Sequence, residues 1–330
     1  IEDMIAEEEM VLTITHNGYI KRTSLSTYRS QRRGGRGVQG ASSREEDFVE
    51  HLFVANTHSY ILFFTDKGKC YWVKVYDIPE GGRAAKGRAI VNLIGCEPDE
   101  KVSAFISVKE FNDDHYVVMA TEKGMVKKTK LSAYSNPRKK GIYAVEIRDG
   151  DKLIEARVST GDNDILLGTR NGKSIRFSEE QIRASGRKTM GVKGITLSSE
   201  DDRLVGMLLI KREGTVLVAT EKGFGKRTEI SQYRAQKRGG KGVLTMKTTD
   251  KVGKMVTIKE VVDKDDLMII TNQGVLIRLP VAQIRSIGRA TQGVKLIKLG
   301  EGTLVSSITR IMSEEEEDEN NNTESTEPKE

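Results

Sequence analysis

Six times along the chain an apolar run ends in Thr-x-x-Gly: "VLTITHNG", "YILFFTDKG", "YVVMATEKG", "ILLGTRNG", "VLVATEKG" and "LMIITNQG". The glycines are Gly18, Gly68, Gly124, Gly172, Gly223 and Gly274, spaced by 50, 56, 48, 51 and 51 residues. A second glycine keeps phase with the first, at Gly37, Gly87, Gly141, Gly191, Gly242 and Gly293, 19 residues on in five units and 17 in the other. Self-similarity at this period is the signature of propellers and solenoids. In each unit β-formers precede a tight turn at x-x-Gly, where glycine accepts positive φ. A second strand follows, such as "YIKRTSL" or "MVKKTKL", then a loop to the second glycine and a third strand such as "GVKGITL". A fourth strand, such as "FVEHLFVAN", "LIEARVS" or "LVGMLLI", precedes the next unit. Six four-stranded units predict an all-β, six-bladed propeller-like ring, with an open solenoid as the alternative.

The two ends bear on closure. The first unit lacks a preceding strand, and "LVSSITRI" from Leu304 to Ile311 has no unit after it. Pairing that last strand with Met10 to Thr15 removes two free edges at once, so the ring is expected to be closed by its first and last strands.

Charge is distributed unevenly. The formal charge is +6, but the tail from Ser313 to Glu330 carries nine acids and one lysine, a net −8, which leaves +14 on the first 312 residues. So basic a body predicts a polyanionic partner. The tail is acidic, polar and without aromatics, which predicts disorder. The expected organisation is therefore one folded domain over 1–312 and a tail over 313–330. No apolar run is long enough to span a membrane, and no signal peptide opens the chain. The first residues, "IEDMIAEEEM", begin without Met and hold five acids, as in a piece of a longer protein. Cys70 and Cys96, the two cysteines, sit in strand-like runs and are expected to be reduced core residues of a cytoplasmic protein.

The loop before the second glycine carries the chemistry. In units one and five it reads "STYRSQRRGGRG" and "SQYRAQKRGGKG"; the others are "VYDIPEGGRAAKG", "LSAYSNPRKKG", "EEQIRASGRKTMG" and "VAQIRSIGRATQG". Every version holds Arg or Lys, so a ring presents a basic group at each angular step: Arg83 and Lys86, then Arg138, Lys139 and Lys140, then Arg187 and Lys188, and Arg289. In unit one, Arg32, Arg33 and Arg36 supply charge to phosphates, and in unit five Lys237, Arg238 and Lys241 do. Gly34, Gly35, Gly239 and Gly240 let the backbone approach a surface closely and offer N–H donors. Gln31 and Gln236 can donate to a phosphate or a base edge. This pattern suits a polyanion running around a rim, more than one entering a single pocket.

"QRRGGRG", Gln31 to Gly37, resembles the box motif of the DNA gyrase A subunit, and it lies in the first of six repeats, as in the C-terminal domain of that family. The resemblance covers essentially the whole chain. It implies a six-bladed β-pinwheel whose blades exchange strands, DNA wrapped around the basic perimeter with positive handedness, and an essential wrapping role for Gln31, Arg32, Arg33, Gly34, Gly35, Arg36 and Gly37. It also implies that the domain presents DNA to the cleavage gate, so that ATP-driven strand passage introduces negative supercoils. The implied partners are double-stranded DNA, the gyrase B subunit, with which the holoenzyme is built, and the remaining domains of the gyrase A chain; the isolated domain is implied to be a monomer. The catalytic tyrosine of the enzyme is implied to lie outside this chain, and no enzyme activity of its own is expected. The corresponding chain of topoisomerase IV has a similar domain with a lost or degenerate box; the intact box here argues for gyrase. The second copy, Gln236 to Gly242, is expected to be an auxiliary clamp.

Other signals carry less. "GRGVQG", Gly35 to Gly40, fits G-x-G-x-x-G but no helix pattern follows it, and "GTRNGKS", Gly168 to Ser174, is a residue short of a P-loop and occupies the shared turn. His16, His51, His58 and His115 lack zinc spacing, so neither a metal nor a cofactor is expected. Tyr28, Tyr134 and Tyr233 share one repeat slot, which predicts packing. A propeller scaffold for protein partners remains the alternative from another class; it requires aromatic anchors on one face, and aromatics are only 5% of the chain. A propeller enzyme requires converging acids or a metal site, which the sequence does not show.

Overall fold

A computed structural model describes residues 2–25, 27, 47–82, 84–211 and 214–311. The alternation expected of each unit appears as antiparallel strands around six hairpins. The hairpin strands are Glu9–Thr15 with Tyr19–Ser24, Tyr60–Thr65 with Lys69–Lys74, and Tyr116–Thr121 with Met125–Lys130. Asp164–Thr169 pairs with Lys173–Ser178, Thr215–Thr220 with Phe224–Glu229, and Asp266–Thr271 with Leu276–Pro280. All six turn glycines have positive φ, between 74° and 90°. At Gly172 the space is closed as well, since a Cβ there would lie 2.2 Å from the Met246 carbonyl oxygen. The P-loop-like "GTRNGKS" is one of these hairpins.

The fourth strand of each unit returns to its own hairpin. Val49–Asn56, Val102–Val108, Leu153–Ser159, Leu204–Ile210, Met255–Val261 and Val305–Ile311 each pair with the first hairpin strand, leaving the second strand on the far side. These six are the inner strands. They pack on one another in chain order, and the last, Val305–Ile311, packs on the first, Val49–Asn56. Phe53 stacks on Phe105, 5.3 Å between centroids, where the first two inner strands meet. The ring therefore closes, but by a route that corrects the expected one. Unit one does not lack an inner strand, because Val49–Asn56 supplies it, with Met10 opposite Ala55. Val305–Ile311 pairs with Asp266–Thr271 of its own unit, and Met10 to Thr15 is paired on both edges without it.

The outermost strand is exchanged. Arg88–Ala89 of unit two completes the sheet of unit one, and Ile142–Tyr143, Val192–Lys193, Val243–Leu244 and Val294–Lys295 likewise complete the sheet of the unit before their own. The "GVKGITL" segment is thus only two residues of strand, where a full one was expected. Gly191 turns the chain into it at φ +78, where a Cβ would meet the Val126 carbonyl oxygen at 2.2 Å. Sheet six has three strands among the described residues. Unit two departs from the rest: a short helix, Ile90–Ile94, follows its exchanged strand. Cys96 lies half-buried after that helix and not in a strand as expected, whereas Cys70 is a buried strand residue; both are free thiols.

Five apolar layers lie between successive blades among the described residues, and each draws on both neighbours, as with Leu62 and Phe64 against Val117 and Met119. Burial at about 25 cal/mol per Å² of apolar surface holds neighbouring blades together, and their inner strands are also bonded, as where Ser103 Oγ donates to the Leu153 carbonyl at 2.8 Å. Tyr134 and Tyr233 are fully buried in these layers, as the repeat predicts; Tyr28 lies outside the described residues. No helix among the described residues is long and apolar enough to cross a membrane.

Candidate nucleic-acid interface

The strands carry cations that do not face outward. The third residue after the turn glycine, on the second hairpin strand, is Lys in every other unit, Lys21, Lys127 and Lys226, and Tyr71, Ile175 or Ile277 between. Each lysine grips the loop of the unit that follows. Lys21 Nζ donates to the carbonyl oxygens of Gly82 and Ala85 at 2.9 Å. Lys127, 1% exposed, donates to Arg187 at 2.6 Å and also to Ala144. Lys226, fully buried, donates to the carbonyl oxygens of Gly288 and Thr291 at 3.0 Å and to that of Arg289. Burial, with Arg187 nearby, pushes Lys127 down to about 7. Burial, then Arg289 and Lys247, pushes Lys226 down to about 8.

The next residue along the same strand latches the short turn of the following unit. Arg22 Nε donates to the Ile78 carbonyl at 2.6 Å, Trp72 Nε1 to Tyr134 at 2.8 Å, Lys128 Nζ to Glu179 at 3.1 Å and Arg176 Nη1 to Tyr233 at 3.1 Å. Part of the +14 body charge is therefore inter-blade structure, which the overall count could not separate from a binding surface.

The loops contain a third latch. Four residues before the second glycine stand Arg187, Arg238 and Arg289, all half-buried. Each guanidinium donates to the exchanged strand of the unit before: Arg187 to the Tyr143 carbonyl at 3.5 Å, Arg238 to Lys193 at 2.6 Å, and Arg289 to Leu244. Arg238 Nε also donates to the Gln181 carbonyl at 3.3 Å. The second box copy is thus anchored, and of its glycine N–H groups, expected to be offered outward, that of Gly239 is taken up within the fold. Gly239 N–H donates to the Gly194 carbonyl at 2.9 Å, and the Gly240 carbonyl accepts from Thr196 N–H at 2.9 Å. Gln236 N–H donates to Arg176 at 2.7 Å, and its side-chain Oε1 is buried without a partner among the described residues. Gly239 at φ +85 and Gly242 at φ +74 hold conformations that L side chains rarely adopt.

The remaining expected cations stand in solvent. Lys86, Arg138, Lys139, Lys140, Lys188, Lys237 and Lys241 are exposed. Lys86 lies 4.2 Å from the centroid of Tyr19. Arg88, Arg183, Lys193, Arg234, Arg285 and Lys295 are exposed on the same loops and exchanged strands and were not anticipated. Lys193 and Lys295 share one slot, two residues past the second glycine, which an alignment of the units reveals. Because the exchanged strand is the outermost of its sheet, these cations follow the circumference over the described blades. Gln31, Arg32, Arg33, Gly34, Gly35, Arg36, Gly37 and Arg83 lie outside the described residues, as does Gly35 to Gly40.

The family model of the DNA gyrase C-terminal domain, beta-propeller, matches this chain over six segments, 9–56, 59–109, 115–160, 163–211, 214–261 and 265–311. The chain belongs to that family. The six matched segments coincide with the six hairpins and their inner strands. Among curated proteins, the DNA gyrase A subunit of Staphylococcus epidermidis is 47% identical over 317 residues, covering 95% of this chain and 35% of that protein. The chain thus spans about a third of the length of the curated relatives it matches. Among solved structures, the C-terminal domain of DNA topoisomerase IV superposes with a TM-score of 0.83 at 26% identity, covering 94% of this chain and 95% of the other. A DNA gyrase A C-terminal domain superposes with a TM-score of 0.70 at 23% identity, over 92% of this chain and all of that one, and that likeness supports the fold alone.

Proposed function

We propose that this chain is the DNA-wrapping part of a gyrase A subunit. Duplex DNA lies along the rim with little base specificity and is presented to the cleavage gate, so that ATP-driven strand passage introduces negative supercoils. In this reading the folded part, 1–312, has no catalytic residue and no cofactor, and its partners are DNA, the gyrase B subunit, and the remaining domains of the gyrase A chain. The observation that carries it is the recurrence of exposed cations at one radial position on successive blades, from Lys86 to Lys295. Bending 20–30 base pairs by 40–90° costs about 1–6 kcal/mol, and phosphate contacts spread over many blades offset it.

The experiment changes Arg32, Arg33 and Arg36 to alanine. Stable wrapping is expected to disappear while residual binding to the other blades remains. If all three touch phosphates, the slope of log K against log salt falls by about 2.7. Unchanged bending with an unchanged slope overturns the reading. The topoisomerase IV alternative draws support from the TM-score of 0.83. Supercoiling of relaxed plasmid by the complete enzyme separates the two: a gyrase introduces negative supercoils, and an enzyme that only relaxes and decatenates does not.

A further inference from the structure

Tyr143 is the second residue of an exchanged strand, the place held by Ala89, Lys193, Leu244 and Lys295 in the other described blades. It is 51% exposed. Its backbone is fixed: Tyr143 pairs with Lys69, and its carbonyl accepts from Arg187 Nη1 at 3.5 Å. Its hydroxyl makes no hydrogen bond among the described residues. The Lys69 ammonium stands 5.7 Å from the ring centroid. Beside the ring a groove of about 540 Å³ is lined by Lys67, Lys188, Val145, Glu146 and Ile147, with Lys67 ion-paired to the exposed Asp99 at 2.9 Å. Of the large hydrophobic residues on the exchanged strands, Tyr143 is more exposed than Val192 at 36%, and it has three lysines nearby.

We propose that Tyr143 is a wedge for wrapped duplex DNA: its ring enters the minor groove at one inward-facing turn, and Lys67, Lys69 and Lys188 take the flanking phosphates. The inference rests on the wrapping reading above. An apolar group pressed between or against base steps stabilises a local kink, so the unstacking that bending demands is offset where it occurs. Lysines beside the ring suit the narrow groove, whose walls are the two phosphate backbones. No base-specific hydrogen bond is needed; an easily kinked pyrimidine–purine step is favoured at the wedge because it deforms at least cost.

The test compares Tyr143→Ala and Tyr143→Phe on linear duplex and on a small minicircle that is already bent. Wild-type protein is first assayed for supercoils constrained on a nicked plasmid that is then ligated. No constrained supercoils there means that the wrapping reading itself has failed. Given wrapping, Tyr143→Ala is expected to bind linear DNA about tenfold more weakly. Its salt slope stays unchanged, because no phosphate contact is lost, and one nuclease-hypersensitive step disappears from the footprint. On the minicircle the loss shrinks to less than about threefold, since the bend is already present, and Tyr143→Phe behaves as wild type throughout. An equal loss on linear and circular DNA, or an unaltered footprint in Tyr143→Ala, overturns the wedge.

Discussion

Arg238 and Lys237 are neighbours in one basic loop, yet the structure gives them different work. The Arg238 guanidinium is occupied by the Lys193 and Gln181 carbonyls, whereas Lys237 stands in solvent. Arg238→Met should therefore cost about 1–3 kcal/mol of stability through unsatisfied carbonyls, with little change in the salt slope of DNA binding. Lys237→Ala should do the reverse, leaving stability within about 0.5 kcal/mol and lowering the slope by about 0.9. Urea unfolding and a salt titration read both; a slope that falls for Arg238→Met but not for Lys237→Ala inverts the assignment. The buried lysines make a second residue-scale prediction. Lys127 releases its proton near 7 in the folded chain and near 10.4 when unfolded. Between those values the unfolded state binds the extra proton, so stability rises with pH by about 1.4 kcal/mol per unit for this group. Below pH 7 both states are protonated and the contribution is flat at its least favourable level. The unfolding free energy of wild type minus that of Lys127→Met should thus be flat below pH 7 and climb toward pH 9. A difference that stays flat to pH 9 contradicts this.

Elements were legible where period and turn chemistry were strong. Thr-x-x-Gly after alternating apolar residues fixed all six hairpins, because glycine at positive φ and a strand pattern have few other solutions. The inner strands were legible too, but their partners were not. Strand pairing is a non-local choice, and the sequence at Leu304 to Ile311 reads equally well beside Met10 to Thr15 or Asp266 to Thr271. The exchange of Val192–Lys193 between blades was implied only by resemblance, since two residues carry no periodicity. At the candidate interface the positions of Lys86, Lys188 and Lys241 were legible as exposed cations, whereas the latch roles of Arg187, Arg238 and Arg289 were hidden: guanidinium meeting phosphate and guanidinium meeting carbonyl look alike in one dimension. The glycines make this testable. Gly18→Ala at φ +84 meets nothing within 4 Å and should cost about 1–2 kcal/mol of backbone strain alone, whereas Gly191→Ala adds to the same strain at φ +78 a contact at 2.2 Å and should cost clearly more than Gly18→Ala. Equal midpoints in urea for the two variants contradict the exchange geometry around Gly191.

At the scale of the whole molecule, the body and the tail carry opposite charge, +14 on 1–312 and −8 on 313–330. Residues 312–330 lie outside the described ones, but the chain before them ends in the inner strand Val305–Ile311, which pairs with Asp266–Thr271 and packs on both neighbouring inner strands. Removing everything after Thr303 should therefore lower the melting temperature sharply, while removing Ser313 to Glu330 should leave it unchanged. The tail matters instead for charge. Six consecutive acids, Glu314 to Glu319, are tethered to a body whose rim cations form the proposed DNA track. Tethering makes their local concentration high, and the attraction is screened over about 8 Å at physiological salt. They are expected to compete with phosphate for the same lysines, so deletion of Ser313 to Glu330 should tighten DNA binding most at low salt and progressively less as salt rises. A tail on the rim would have to be displaced before DNA binds, so its removal should also steepen the salt slope toward the full number of phosphate contacts. The check is a pair of salt titrations with and without the tail on one duplex. Identical affinities at low salt would mean that the tail does not occupy the rim, and the basic circumference is then open to DNA at all times.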